Sequence, residues 1–154
     1  MLIFTNPWTL LKLLFILISL LTSKIAMTMA AECKNDQTIV VSNAWARSVT
    51  NQQMPAAIYL TLTNQSLQPD QLIKVETNVA KKATLHETRT DGTVLMMRPR
   101  GTVVIPAKQQ VVFVPNDAHI MLMDLSQILA PKSQFRVELT FAKSGCYAVQ
   151  VTVR

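Results

Sequence analysis

The sequence predicts an all-β domain, a sandwich or barrel built from short strands. Three observations carry that expectation. Short β-branched or alternating segments recur at roughly ten-residue spacing, turn residues separate them, and no window longer than about ten residues has a helical period.

The elements follow in chain order. Thr38 to Val41 is a β-branched run, and Ala57 to Thr63 alternates apolar and polar as a half-buried strand does. Gln71 to Glu76 and Ala83 to Thr88 continue the pattern, and the Asp91-Gly92 turn leads into Thr93 to Met97. Pro99 and Gly101 interrupt, and Val103 to Ile105 is short. Gln110 to Val114 ends at Pro115-Asn116-Asp117, and Ala118 to Leu122 follows. In Gln134 to Phe141, Phe135, Val137, Leu139 and Phe141 share one face and Arg136, Glu138 and Thr140 the other. Ser144-Gly145 marks a hairpin, and Cys146 to Val153 closes the domain.

Of the 154 residues, the first 30 read as a signal peptide and residues 31–154 as one folded domain. Leu13 to Leu21 is an uncharged apolar run, preceded by Lys12 and ended by Thr22-Ser23. That run is short for a membrane span of roughly 20 residues. Thr28-Met29-Ala30 offers the small residues of a cleavage site after Ala30, and Lys24 keeps an uncleaved anchor as the alternative. Either way the domain is exported, and the compartment expected is the periplasm. Glu32 directly before Cys33 does not suit a lipid-attachment site.

The whole chain carries +6, and without Lys12 and Lys24 the remainder has 13 basic against 9 acidic side chains, near +4. The cations are scattered and aromatics make up only 6%, so a nucleic-acid surface is not expected. Three glycines leave no Gly-rich phosphate loop. Cys33 and Cys146 lie near opposite ends of the exported domain, and in an oxidising compartment they form either a disulfide or two free thiols. No C-x-x-C motif suggests redox catalysis.

The chemistry concentrates in one window. Beyond residue 30 the chain has two histidines, His86 and His119, and five methionines, Met54, Met96, Met97, Met121 and Met123. Both histidines and four of the methionines fall between residues 86 and 123. His119, Met121 and Met123 alternate, so a strand projects them from one face. Met96 and Met97 are adjacent and point to opposite faces. Imidazole with thioether suits a soft ion such as Cu(I). The bland alternative is methionine as an adaptable core filler. No Cys/His cluster has zinc-finger spacing, no C-x-x-C-H attaches haem, and no histidine follows Cys146 as a blue-copper site requires.

The spacing His86-x10-Met97-x21-His119-x-Met121 resembles the H-x10-M-x21-H-x-M signature of the periplasmic copper chaperones called the PCuAC family. Similar text surrounds it: Ala44-Trp45-Ala46-Arg47, Ala56 to Asn64, Leu85-His86-Glu87, Met97-Arg98-Pro99 and His119 to Met123. The resemblance spans roughly residues 38 to 153. It implies a cupredoxin-like Greek-key β-sandwich and one Cu(I) held by His86, Met97, His119 and Met121. It further implies delivery of copper to the Cu(A) site of cytochrome c oxidase subunit II, or exchange with a Sco-type thioredoxin-fold protein. Met96 and Met123 match no signature position and are expected to pack around the site. Many members carry Met where this chain has Thr88, and some carry a His/Met-rich tail that this sequence does not show after Val153.

The expected function is therefore an exported, non-enzymatic Cu(I) chaperone acting as a monomer. Copper sequestration for tolerance is one alternative, and a metal-free β-sandwich interaction module with a Met-rich core is the other. An enzyme is disfavoured, since no Ser-His-Asp set or suggestive carboxylate pair is present.

Overall fold

The computed structural model describes Cys33, residues 37–91 and residues 93–154. The signal peptide expected over residues 1–30 and its cleavage site lie outside the described residues. Among the described residues no helix is long and apolar enough to cross a membrane.

Ten strands form: β1 (Ile39–Ala46), β2 (Ala56–Asn64), β3 (Asp70–Thr77), β4 (Ala80–Asp91), β5 (Val94–Arg100), β6 (Val103–Ile105), β7 (Gln110–Val112), β8 (His119–Leu125), β9 (Gln134–Phe141) and β10 (Gly145–Val153). They follow one hydrogen-bonded path, β5-β4-β8-β2-β1-β10-β9-β3-β6, with β7 also on β2. Every pairing is antiparallel except β1 with β10, which meet in parallel only at Trp45–Thr152 and Ala46–Val153. β3 packs against β4 without pairing to it, so the path folds back on itself around one core. The all-β, cupredoxin-like sandwich expected from the sequence is the architecture observed.

The alternation explains the core. Ile58, Leu60 and Leu62 of β2, Ile120 and Leu122 of β8, and Val137 and Leu139 of β9 are all buried. Each such side chain contributes about 1.5–3 kcal/mol on leaving water. Their neighbours along each strand point to the other side of the sheet.

Several strands run longer than the sequence expectation, β4 and β8 among them, and three differ for a local reason. β1 runs on to Ala46 through an irregularity between Ser42 and Trp45, where Asn43 adopts φ 54°. Asparagine tolerates that left-handed conformation better than most residues. β5 runs through Pro99 to Arg100 rather than stopping before the proline. As the end of the sheet path it has one neighbour, and an edge strand tolerates a missing N–H. β7 stops at Val112, because Val114 turns away to bond Ala118 (N···O 3.0 Å).

Two buried polar side chains fasten the loops. Asn64 donates to the carbonyls of Gln68 (2.8 Å) and Ile105 (3.1 Å) and accepts from the Ser66 amide (2.9 Å). Asp70 accepts from the amides of Gln71 (2.7 Å), Lys143 (2.9 Å) and Ser144 (3.0 Å) and from the Ser144 hydroxyl (2.6 Å). It thereby holds the β9–β10 turn, which Gly145 enters at φ 80°. Cys33 and Cys146 form a disulfide, closing a sequence separation of 113 residues. In the chain-entropy account such a long closed loop stabilises by about 4–5 kcal/mol.

Burial of Asp70 favours its neutral form, but the four hydrogen bonds outweigh it and hold the carboxyl below its usual range. A depressed folded pKa adds stability that is complete above the unfolded value, about 3.9, and is lost as pH falls through the folded one. Asp70→Ala is expected to cost about 2–3 kcal/mol at pH 7. The gap to the parent protein should close in acid, as read by urea unfolding across pH; a gap independent of pH would contradict this account.

Candidate metal centre

Strand register assembles the centre. On β4 and β8, His86 stands directly opposite His119, and Thr84 opposite Met121. On β4 and β5, Met97 stands opposite Thr88 and Pro99 opposite His86. Residues directly opposite in an antiparallel pair share a face, as do residues two apart on one strand. His86, Met97, His119 and Met121 therefore all project from one face of the β5-β4-β8 sheet. Burial agrees: Leu85, Ile120 and Leu122, which alternate with them, point into the core.

The four are not equally exposed. His119 is buried at 4%, Met121 and His86 are half-buried, and Met97 is 60% exposed. Met97, His119 and Met121 line one cleft of about 230 Å³, with Arg47 and Tyr59 among its other walls. His86 is not part of that wall, but its ring centroid lies 5.8 Å from that of His119, edge to face. A larger cleft of about 560 Å³, between β1 and β10, shares none of these residues.

Each imidazole is oriented through one nitrogen. The Pro115-Asn116-Asp117 turn, with Asn116 at φ 65°, brings the Asp117 carbonyl to His119. A carbonyl only accepts, so His119 donates from Nδ1 (2.8 Å) and its Nε2 keeps the lone pair. The Thr88 hydroxyl donates to the same carbonyl at 3.4 Å. His86 has Nε2 at 3.2 Å from the Thr84 hydroxyl. Its Nδ1 is the one buried side-chain polar atom without a hydrogen-bond partner among the described residues. Such an orphan is costly unless something else occupies its lone pair. Burial, and then the neighbouring His119, hold the His86 pKa below its ordinary value. The neutral, electron-donating imidazole is thereby favoured at neutral pH.

Sequence reading missed Thr84, the Asp117 carbonyl and Tyr59. The signal for the first two was present, since each lies two residues before a histidine and a strand puts such neighbours on one side. Tyr59 lies between Trp45 (centroids 4.5 Å) and His119 (6.5 Å), tilted to both rings, and the Arg154 guanidinium lies 5.5 Å over the Trp45 ring. Met123 shares the histidine face, opposite Lys82, and Met96 lies on the reverse face, opposite Arg89. Both are half-buried. On that reverse face Glu87 pairs with Arg89 (2.5 Å) and Arg100 (3.1 Å), fastening the β4–β5 hairpin.

Residues 39–153 match the model of the lipoprotein family described as LpqE-like. In this chain the Cys33 sulfur is committed to the disulfide with Cys146. No curated protein matches the chain significantly. Among solved structures, the copper-bound PCuAC domain from PmoF2 is similar at 20% identity and TM-score 0.65, over 76% of this chain and 92% of that one. The apo PCuAC domain from PmoF1 gives 20% identity and TM-score 0.64, over 80% and 96%. The Cu(I) form of DR1885 from Deinococcus radiodurans gives 25% identity and TM-score 0.59, over 84% and 85%. The chain shares the fold of PCuAC domains over about three quarters of its length, and with the family model matching residues 39–153 it belongs to the LpqE-like family.

Proposed function

We propose that this protein is an exported, non-enzymatic chaperone that carries one Cu(I) on His86, Met97, His119 and Met121. The observation that carries the reading is the shared face: four soft or borderline donors, separated by up to 35 positions in sequence, project from three adjacent strands. The orphaned Nδ1 of His86 supports it, because a metal would satisfy that atom. The likeness to a copper-bound PCuAC domain and to Cu(I)-DR1885 supports copper as the cargo.

The chemistry fits a carrier. Thioethers are neutral and soft, and they bind Cu(I) without losing a proton. His119 is buried and orientationally fixed, whereas Met97 is largely open to solvent. An incoming thiolate or imidazole would displace Met97 first and take the ion by stepwise exchange. The proposed recipient is the Cu(A) site of cytochrome c oxidase subunit II, reached directly or through a Sco-type partner in the periplasm.

The hydrogen bonds support one choice of donor atoms. His119 would offer Nε2, since its Nδ1–H donates to the Asp117 carbonyl; His86 would offer the unpartnered Nδ1, in the tautomer whose Nε2–H donates to the Thr84 hydroxyl.

Anaerobic Cu(I) competition titration should find about one ion per chain, weakened in both His86→Ala and Met121→Ala. Absent binding, or binding indifferent to both changes, favours the metal-free interaction module. Long-range ¹H–¹⁵N spectra of the loaded protein should show the metal on Nδ1 of His86 and Nε2 of His119. Thr84→Val should weaken binding by roughly tenfold, as losing the partner of a ligating histidine does; an unchanged affinity would refute the donor assignment. In cells, loss of the protein should lower oxidase activity under copper limitation. Growth loss confined to excess copper would instead favour sequestration.

A further inference from the structure

A second group of metal-ligating atoms lies on different strands from the histidines and methionines. The sulfurs of Cys33 and Cys146 and a carboxylate oxygen of Glu138 all lie within 4.8 Å of one another. Register explains the meeting. Cys146 pairs with Thr140 and Ala148 with Glu138, so Glu138 stands one rung from Cys146 on the same face of β9 and β10. That face is the outward one, because Val137 and Leu139 point to the core. Opposite Glu138 on β10 is only the methyl of Ala148, and opposite it on β3 is Glu76. Two carboxylates on one rung repel unless a cation shares their field. Their present partners are surface ones, Lys74 with Glu76 (2.8 Å) and Arg136 with Glu138 (3.0 Å). Exposed pairs of this kind are weak and easily surrendered.

We propose that reduction of the Cys33–Cys146 disulfide creates a Zn(II) site of two thiolates and the Glu138 carboxylate, with water as the fourth ligand. A dithiol reductant gives two electrons and two protons to the disulfide and leaves as its own disulfide. Zn(II) then displaces the two thiol protons to solvent. Zinc bonds of about 2.3 Å to sulfur and about 2.0–2.2 Å to oxygen place tetrahedral ligand atoms roughly 3.4–3.8 Å apart, so the sulfurs, bonded to each other here, must part to that spacing while the carboxylate oxygen already lies within reach. The carboxylate is a harder third donor that Zn(II) uses and that Cu(I), satisfied by two thiolates, does not need. The metal would re-close the same long loop that the disulfide closes, so the cross-link survives a change of redox state in another form.

The test uses the whole protein, oxidised and after reduction with a phosphine, which takes an oxygen from water as it opens the disulfide. Co(II) serves as the spectroscopic probe and Zn(II) as competitor. The reduced protein should bind one Co(II) with thiolate charge-transfer absorption, and Zn(II) should bleach it. The oxidised protein should show no such band. Glu138→Gln should weaken binding by roughly tenfold or more, and its fold can be verified in the oxidised state. Met97→Ala and Met121→Ala should leave the band unchanged, which separates this site from the proposed copper site. Zn(II) should also raise the melting temperature of the reduced protein. Absence of the band in the reduced protein, equal affinity in Glu138→Gln, or a melting temperature indifferent to Zn(II) would each overturn the proposal.

Discussion

The pairing of β8 with β4 is the constraint on which the rest depends. Burial of Ile120 and Leu122 beside Leu85 fixes which side of these strands meets the core. A one-residue slip would send every side chain to the opposite face. The same apolar contacts that stabilise the sandwich therefore place His86 beside His119 and hold Met121 two residues further along. The β4–β5 hairpin extends that face by one strand and adds Met97. No separate device is needed to gather the four residues; the core does it from behind.

The immediate surroundings then set what each group can do. His119 is buried and tied to a turn whose shape depends on Asn116 and Asp117. His86 is held through Thr84 and left with one unsatisfied nitrogen. Met97 sits on the last strand of the sheet and is open to solvent. The gradient from fixed, buried imidazole to exposed thioether runs in the direction that the proposed hand-off would use. Thr88, two residues beyond His86 on the same strand face, bonds the carbonyl that orients His119.

Much of this was legible in the sequence, for a physical reason. Strands such as Gln134–Phe141 alternate strictly, and the period of two reads directly as inside and outside. Period two also put His119 and Met121 on one face, whereas the addition of His86 and Met97 came from the resemblance and waited on register. What could not be read was long-range: which strand neighbours which, that Asp70 reaches across to the β9–β10 turn, and that Tyr59 closes over His119. These contacts join residues far apart in the chain and leave no periodic trace. Pro99 misled for a local reason, since the rule that proline ends a strand assumes two neighbours and β5 has one.

That edge position has a consequence of its own. A free strand edge beside a solvent-facing, partly apolar face invites another chain to add on through backbone bonds, the usual route to aggregation. Here the edge carries Pro99 flanked by Arg98 and Arg100, which removes one donor and adds like charge. Strand addition at this rim is thereby disfavoured, so a chain that met it would do so through side chains.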